Sequence, residues 1–114
     1  MHVISMKKLR AFWAKHPKAE EPLTAWYRVA EKADWLGPND IRNTYRSADP
    51  IGDEFVVFEI CHNDYRLVVR VNYARSTVYI WDVYTHADYD RLDFQAIDRR
   101  IRQERKKFRA KRSQ

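Results

Sequence analysis

The sequence predicts an α+β domain: two N-terminal helices packed on a small antiparallel sheet of three to four strands, followed by a basic C-terminal helix. Three observations carry that prediction. Strand-like runs at Phe55–Cys61, Asp64–Ala74 and Thr77–Tyr84 follow one another across the short joins His62-Asn63-Asp64 and Arg75-Ser76. Parallel crossovers take a dozen or more residues, so these joins favour antiparallel hairpins. Ahead of the strands, two segments carry apolar residues at helical spacing, and behind them a sparse apolar stripe runs through arginines and lysines.

Taken in order, Val3 and Ile4 are expected to form a short first strand. Ser5 suits an N-cap for a helix from Met6 to Lys15, with Leu9, Phe12 and Trp13 as its apolar stripe. Pro17 separates it from a second helix. Glu20, Glu21 and Pro22 suit a first helical turn, where acids meet the positive end and proline is tolerated. Leu23, Trp26, Tyr27 and Ala30 then follow the i, i+3, i+4, i+7 pattern of one buried face. Gly37-Pro38 ends the helical region. Asn39-Asp40 is expected to cap a short turn through Tyr45, and Ser47 to Asp53 reads as loop.

In the first central strand Val56, Phe58 and Ile60 share a face. In the second, Leu67, Val69, Val71 and Tyr73 share one face, and Arg66, Val68, Arg70 and Asn72 the other. In the third, Val78 and Ile80 are expected to oppose Tyr79, Trp81 and Val83. From Asp93 to Lys111 the pattern is helical, with Phe94, Ile97, Ile101 and Phe108 as the stripe. That stripe would meet the sheet, a partner or a second copy. Helices thus cover one face of the sheet and leave the other partly open.

A chain of 114 residues is one domain by length, here residues 1–92 with 93–114 as its basic extension. The 45% hydrophobic and 14% aromatic content argues for a folded globule. Two glycines exclude a glycine-rich phosphate loop. The lone Cys61 fits a reducing compartment, no apolar run suffices for a membrane span, and Met1–Lys7 lacks a signal-peptide core. A cytoplasmic protein is expected. The net charge is +6, and from Arg91 onward 10 basic and 3 acidic residues account for it. Such a tail attracts polyanions, or is a solvated helix face.

The chemistry concentrates after Asp64. Arg66 and Arg70, at even spacing, are candidate phosphate clamps through their forked donors; the bland alternative is a pair of ordinary exposed sheet arginines, or partners of Glu59 and Asp82 across the strands. His86 is the candidate acid or base because its unperturbed pKa lies near ~6.5, against a reading as a turn-orienting residue. Tyr89 is a candidate proton or hydrogen-bond donor, against a core-edge phenol. Arg75, Lys7 and Lys8 are candidate phosphate contacts. Tyr79 and Trp81 are base-stacking platforms if their side of the sheet is open, and core if it is covered. Arg99, Arg102, Arg105 and Lys106 are the tail's candidate RNA contacts. Cys61-His62 with His86 falls short of any standard zinc spacing, so no metal and no cofactor are expected.

The sequence resembles a known family. Val3-Ile4-Ser5, Phe12-Trp13-x-Lys15-His16-Pro17, Trp26-Tyr27 and Ala33-Asp34-Trp35 resemble the N-terminal half of the HigB-type toxins. Asn63-x-Tyr65-Arg66-Leu67, Tyr79-Ile80 and Thr85-His86-Ala87-x-Tyr89-Asp90 resemble their C-terminal half. The likeness implies the fold of the RelE superfamily and metal-free endoribonuclease activity on mRNA through the substrate's 2′-hydroxyl, typically on the ribosome. It also implies a helix-turn-helix antitoxin of the HigA type. Three departures stand out. Cys61-His62 replaces the family's glycine pair, Ile80-Trp81 stands where the family has Ile-Arg, and the basic helix after Asp93 is longer. Two other readings stay open: a catalytically weak RNA- or ribosome-binding module of the same fold, and an interaction protein whose basic helix docks an acidic partner such as an antitoxin; association of copies through the C-terminal helix is a further expectation.

Overall fold

The two hairpins expected between Phe55 and Tyr84 form the centre of the sheet. A computed structural model of the chain describes residues 1–92 and residue 99. Its strands are β1 (His2–Ile4), β2 (Asp49–Ile51), β3 (Phe55–Ile60), β4 (Tyr65–Asn72) and β5 (Thr77–Thr85). Its helices are α1 (Met6–Lys15), α2 (Glu20–Lys32), α3 (Pro38–Thr44) and α4 (His86–Asp90), with a 3₁₀ turn at Pro17–Ala19 between the first two. Arg99 is helical and exposed. The rest of the expected tail helix, with Arg102, Arg105 and Lys106, lies outside the described residues.

The α+β class holds, and the sheet is larger and more mixed than expected. Its order is β1-β5-β4-β3-β2. β2, β3, β4 and β5 pair antiparallel, while β1 joins the far edge of β5 in parallel, His2 opposite Thr77. β2 corrects the expectation of a loop over Ser47–Asp53. Pro50 cannot donate to a ladder, but β2 is an edge strand, where one missing donor faces outward.

Helical periodicity sorted α1 and α2 correctly. Ser5 caps α1, its hydroxyl accepting from the Lys7 amide at 3.3 Å. Leu9 is fully buried, and Phe12 and Trp13 pack beside it. From α2, Leu23, Trp26 and Ala30 enter the core, with Tyr27 half-buried. Across from them lie Val56, Phe58, Ile60, Leu67, Val69, Val71, Val78, Ile80 and Val83. Phe58 is the hub. The rings of Trp26, Tyr45 and Trp35 stand 5.3, 5.4 and 6.2 Å from it.

Two local features shape the opposite face. The first is a bulge in β5. Val68 pairs with Asp82 and Val69 with Ile80, so Trp81 is an extra residue without a partner in the register. The insertion resets the alternation. Tyr79 and Trp81 stay on the face away from the helices, but Val83, expected beside them, turns into the helix-side core with Val78 and Ile80. The second is the β3–β4 turn, where Cys61, His62 and Asn63 take φ values of 56°, 52° and 85°. Three successive non-glycine residues in the left-handed region are costly, because Cβ crowds the following carbonyl by about 1–2 kcal/mol per residue.

His62 is exposed at that turn. Replacing it by glycine is expected to raise stability by about 0.5–1 kcal/mol, the relief of Cβ strain outweighing the added unfolded-state entropy. Urea titration measures this as a higher midpoint at unchanged slope, and an unchanged or lower midpoint would contradict the strained turn.

Candidate active site

The face turned away from α1 and α2 holds a second, small core. Phe55, Val57 and Val68 are buried there, and Ile51, Trp81, Tyr84 and Tyr89 pack over them. This face is therefore partly paved by aromatic rings. Arg66 and Arg70 leave β4 on the same side as Val68, as their even spacing predicts.

Arg66 is buried, at 8% exposure. A buried charge needs partners, and this one has them on one side. Its Nη1 donates to the carbonyls of Asn63 at 3.0 Å and Tyr65 at 3.2 Å. Its Nη2 donates to Asn63 Oδ1. Asn63 thus takes hold of the guanidinium twice, once with its backbone and once with its side chain. The left-handed conformation of Asn63 allows this, and asparagine tolerates that region better than most residues. The guanidinium carbon lies 5.6 Å from the centre of the Tyr89 ring. A guanidinium has five N–H donors, so Nε–H and one Nη2–H remain for another acceptor.

Arg70 is held differently. Its Nε is 3.0 Å from Glu54 Oε2, and its guanidinium lies 5.6 Å from the Tyr79 ring. Its acid is therefore neither Glu59 nor Asp82, the cross-strand neighbours considered from spacing. Glu54 precedes β3, and its carbonyl accepts from the Val71 amide, which brings its carboxylate beside Arg70.

His86 and Tyr89 arrive on α4, a single helical turn directly after β5. Thr85 caps it, its hydroxyl accepting from the Asp88 amide at 3.2 Å. The His86 amide donates to the Asp64 carbonyl at 3.1 Å, which ties α4 to the β3–β4 turn. The same turn that holds Arg66 therefore also anchors the helix carrying the imidazole and the phenol. The His86 side chain is about half exposed, with Nε2 3.6 Å from Asp90 Oδ2. Burial pushes the Tyr89 phenol above its ordinary pKa, Asp49 and Asp90 push the same way, and Arg66 opposes. At neutral pH Tyr89 is a proton holder.

The remaining candidates spread around this centre. Lys8 Nζ donates to the Trp81 carbonyl at 2.7 Å and lies 5.7 Å from its ring. Trp81 meets Phe55 edge-on at 5.7 Å, so it serves the second core as well as the surface. Arg75 is exposed in the β4–β5 turn, its amide donating to Asn72 Oδ1 at 3.1 Å. Lys7 is exposed on α1. Among the described residues no group of three or more histidine, cysteine, aspartate or glutamate side chains could hold a metal ion.

Sequence reasoning missed Asn63, Glu54, Asp49 and Tyr84 as members of this face. Asn63 was visible as part of the Asn-x-Tyr-Arg fragment, without a role. Glu54 and Asp49 sit in segments that read as turn and loop, and Tyr84 gave no signal beyond strand alternation.

Residues 19–92 match a family described as HigB toxin, the RelE-like toxic component of a toxin–antitoxin system. The chain is 24% identical over 94 residues to an mRNA interferase HigB of Escherichia coli O6:H1 (strain CFT073), covering 81% of this chain and 91% of that one. It is 29% identical over 92 residues to the mRNA interferase toxin HigB of Escherichia coli K12, covering 79% and 88% respectively.

Two predictions follow from these contacts. Arg66→Ala is expected to destabilise the fold by about 2 kcal/mol, since charged hydrogen bonds contribute about 1.5–3 kcal/mol. Arg70→Ala, which breaks a partly exposed pair, is expected to cost less than about 1 kcal/mol. Chemical denaturation of both variants checks the ranking, and equal losses would contradict it. For Tyr89 the native state holds the phenolic proton more tightly than the unfolded chain. Its contribution to stability is present below the ordinary value of 10.0 and is lost as pH rises through the folded value. Tyr89→Phe should therefore flatten the alkaline loss of stability, with a residual slope from Tyr45 and Tyr73, whose values burial also raises. Melting curves from neutral to alkaline pH give the comparison, and parallel curves for the two chains would contradict it.

Proposed function

This chain belongs to the HigB family of RelE-like toxins, and from that premise we propose that it is an mRNA endoribonuclease working through the open face of its sheet. Its partners are then an RNA substrate and an antitoxin. Work on the ribosome, a helix-turn-helix antitoxin of the HigA type, a cytoplasmic setting and association of copies through the tail are parts of the same proposal. Among the described residues no helix is long and apolar enough to cross a membrane.

The observation that carries the reading is the contact between Arg66 and Tyr89 at one end of the open face. The Arg66 guanidinium lies against the Tyr89 ring, and His86 stands one turn earlier on the same short helix, itself fixed to the turn that holds Arg66. In the proposed reaction the RNA 2′-oxygen attacks the adjacent phosphorus and the bond from phosphorus to the 5′-oxygen breaks. A 2′,3′-cyclic phosphate and a free 5′-hydroxyl result. His86 takes the 2′-hydroxyl proton, and Asp90 Oδ2 stands 3.6 Å from its Nε2. Tyr89 supplies a proton or hydrogen bond toward the leaving oxygen, and its raised pKa keeps it protonated for that task. Arg66 presents its two remaining donors to the phosphorane charge, which a preorganised group stabilises without reorganising. Arg70 joins by exchanging the Glu54 carboxylate for a phosphate oxygen. Tyr79, Trp81, Lys7, Lys8 and Arg75 flank the strand, and Arg99 with the tail residues Arg102, Arg105 and Lys106 adds long-range attraction.

One observation favours the weaker reading of an RNA-binding module. On the resemblance Trp81 stands in for an arginine, and Arg70 is already neutralised by Glu54, so fixed positive charge on the face is modest.

Cleavage of mRNA by the purified chain, with and without ribosomes, separates the two readings. Under the nuclease reading His86→Ala lowers cleavage by about 10²–10⁴, and a 2′-deoxy residue at the cut position blocks it. The Arg66→Ala/His86→Ala double variant is expected to abolish growth arrest while still binding the antitoxin. Since Arg66 also supports the fold, His86→Ala is the arm that leaves structure intact. Full toxicity of both variants would overturn the assignment.

A further inference from the structure

We propose that one flank of α1, running through Lys8, Ala11 and Lys15, is a docking track for the RNA strand beyond the cleavage site. This inference rests on the nuclease reading and extends its substrate path. The first 19 residues hold Lys7, Lys8, Arg10, Lys15 and Lys18 and no aspartate or glutamate. Among the described residues, no carboxylate stands within ion-pair distance of any of these five side chains. A solvated helix face would ordinarily mix both signs, so an unbalanced cationic face suits a polyanion.

Helical geometry then divides these charges. The buried side of α1 is set by Leu9, with Phe12 and Trp13 packed beside it. At 3.6 residues per turn Lys8 and Lys15 fall on one flank of that side, about two turns or ~10.5 Å apart along the axis. Exposed Ala11 lies between them and leaves room for a backbone to approach. Arg10 falls on the opposite flank. The structure identifies which flank faces the site. Lys8 reaches the Trp81 carbonyl and ring on β5. Farther along α1, Phe12 and His16 place their rings 5.2 and 5.6 Å from Tyr65. Tyr65 pairs with Thr85, the cap of the helix that begins at His86. The helix thus runs alongside β5, from the bulge at Trp81 toward the end where Arg66 meets Tyr89 and α4 begins. A strand leaving that end meets Lys15 first and Lys8 next.

The test compares two substitutions with the same loss of charge on opposite flanks, Lys15→Gln and Arg10→Gln. Binding of uncleavable 2′-O-methyl RNA of about 6 and about 12 nucleotides is measured against salt. The wild-type chain is expected to bind the longer RNA more tightly, with a steeper salt dependence. Lys15→Gln should lose about three- to tenfold of that gain and reduce the salt slope by about 0.7, one single-strand phosphate contact. Arg10→Gln should keep both. Equal affinity of the wild-type chain for the two lengths overturns the track, and so does a Lys15→Gln variant that follows wild type. Equal losses in the two variants overturn it as well, because they would mean a diffuse field and not a path. Failure of the wild-type chain to cleave any RNA would sink the nuclease reading separately, on an assay this comparison does not use.

Discussion

The guanidinium of Arg66 is the joint on which the candidate site is assembled. It is a buried charge on the less covered face of the sheet, and its solvation is supplied by Asn63, the Tyr65 carbonyl and the ring of Tyr89. Each partner belongs to a different part of the structure. Asn63 closes the β3–β4 turn, Tyr65 opens β4, and Tyr89 ends the excursion after β5. One planar group with diverging donors therefore fixes a turn, a strand and a helix together, which a lysine ammonium could not do in the same geometry. The His86 amide bond to Asp64 closes the loop between the same pieces.

This arrangement explains why a strained turn persists. Cys61, His62 and Asn63 all sit in the left-handed region, where glycine would be more comfortable. The conformation turns both the backbone carbonyl and the side-chain Oδ1 of Asn63 onto Arg66, and both accept from its guanidinium. Local backbone strain is thus offset by charged hydrogen bonds at a place where position matters more than local stability. The bulge at Trp81 works in a similar way. It interrupts the ladder, sends Val83 to the helix-side core, and leaves a carbonyl that Lys8 reaches from α1. A side chain of the helix layer is thereby brought to the rim of the opposite face.

Charge is distributed in two ways on this molecule. On the open face the cations are held close: Arg66 by backbone carbonyls, Arg70 by Glu54. Around α1 they are exposed, and among the described residues no carboxylate pairs with them. Held cations give geometry to a reacting phosphate, whereas exposed ones give attraction that falls with salt. An enzyme acting on a long polyanion has use for both kinds.

Much of this was written in the chain itself. Apolar spacing located α1, the start of α2 and the three central strands within a residue or two, because burial on one face imposes a period that local sequence must obey; α2 ends at Lys32, ahead of the expected stop at Gly37-Pro38, and Pro38 opens α3 instead. The even spacing of Arg66 and Arg70 placed both on one face for the same reason. The fragments around Arg66 and His86 pointed to the family. What local sequence did not decide were relations between segments distant along the chain. The parallel pairing of β1 with β5 and the edge position of β2 depend on which strand edge is left uncovered. The bulge that moves Val83 away from Trp81 depends on how β5 fits β4, not on its own alternation. The choice of Glu54 over Glu59 or Asp82 as the partner of Arg70, and of Asn63 as the holder of Arg66, follows from where the turns carry those groups. Periodicity is a property of one segment, and it set the elements. The contact of the Arg66 guanidinium with the Tyr89 ring, and the tie of the helix that carries His86 to the turn that holds Arg66, are properties of several segments at once, and packing in three dimensions set them.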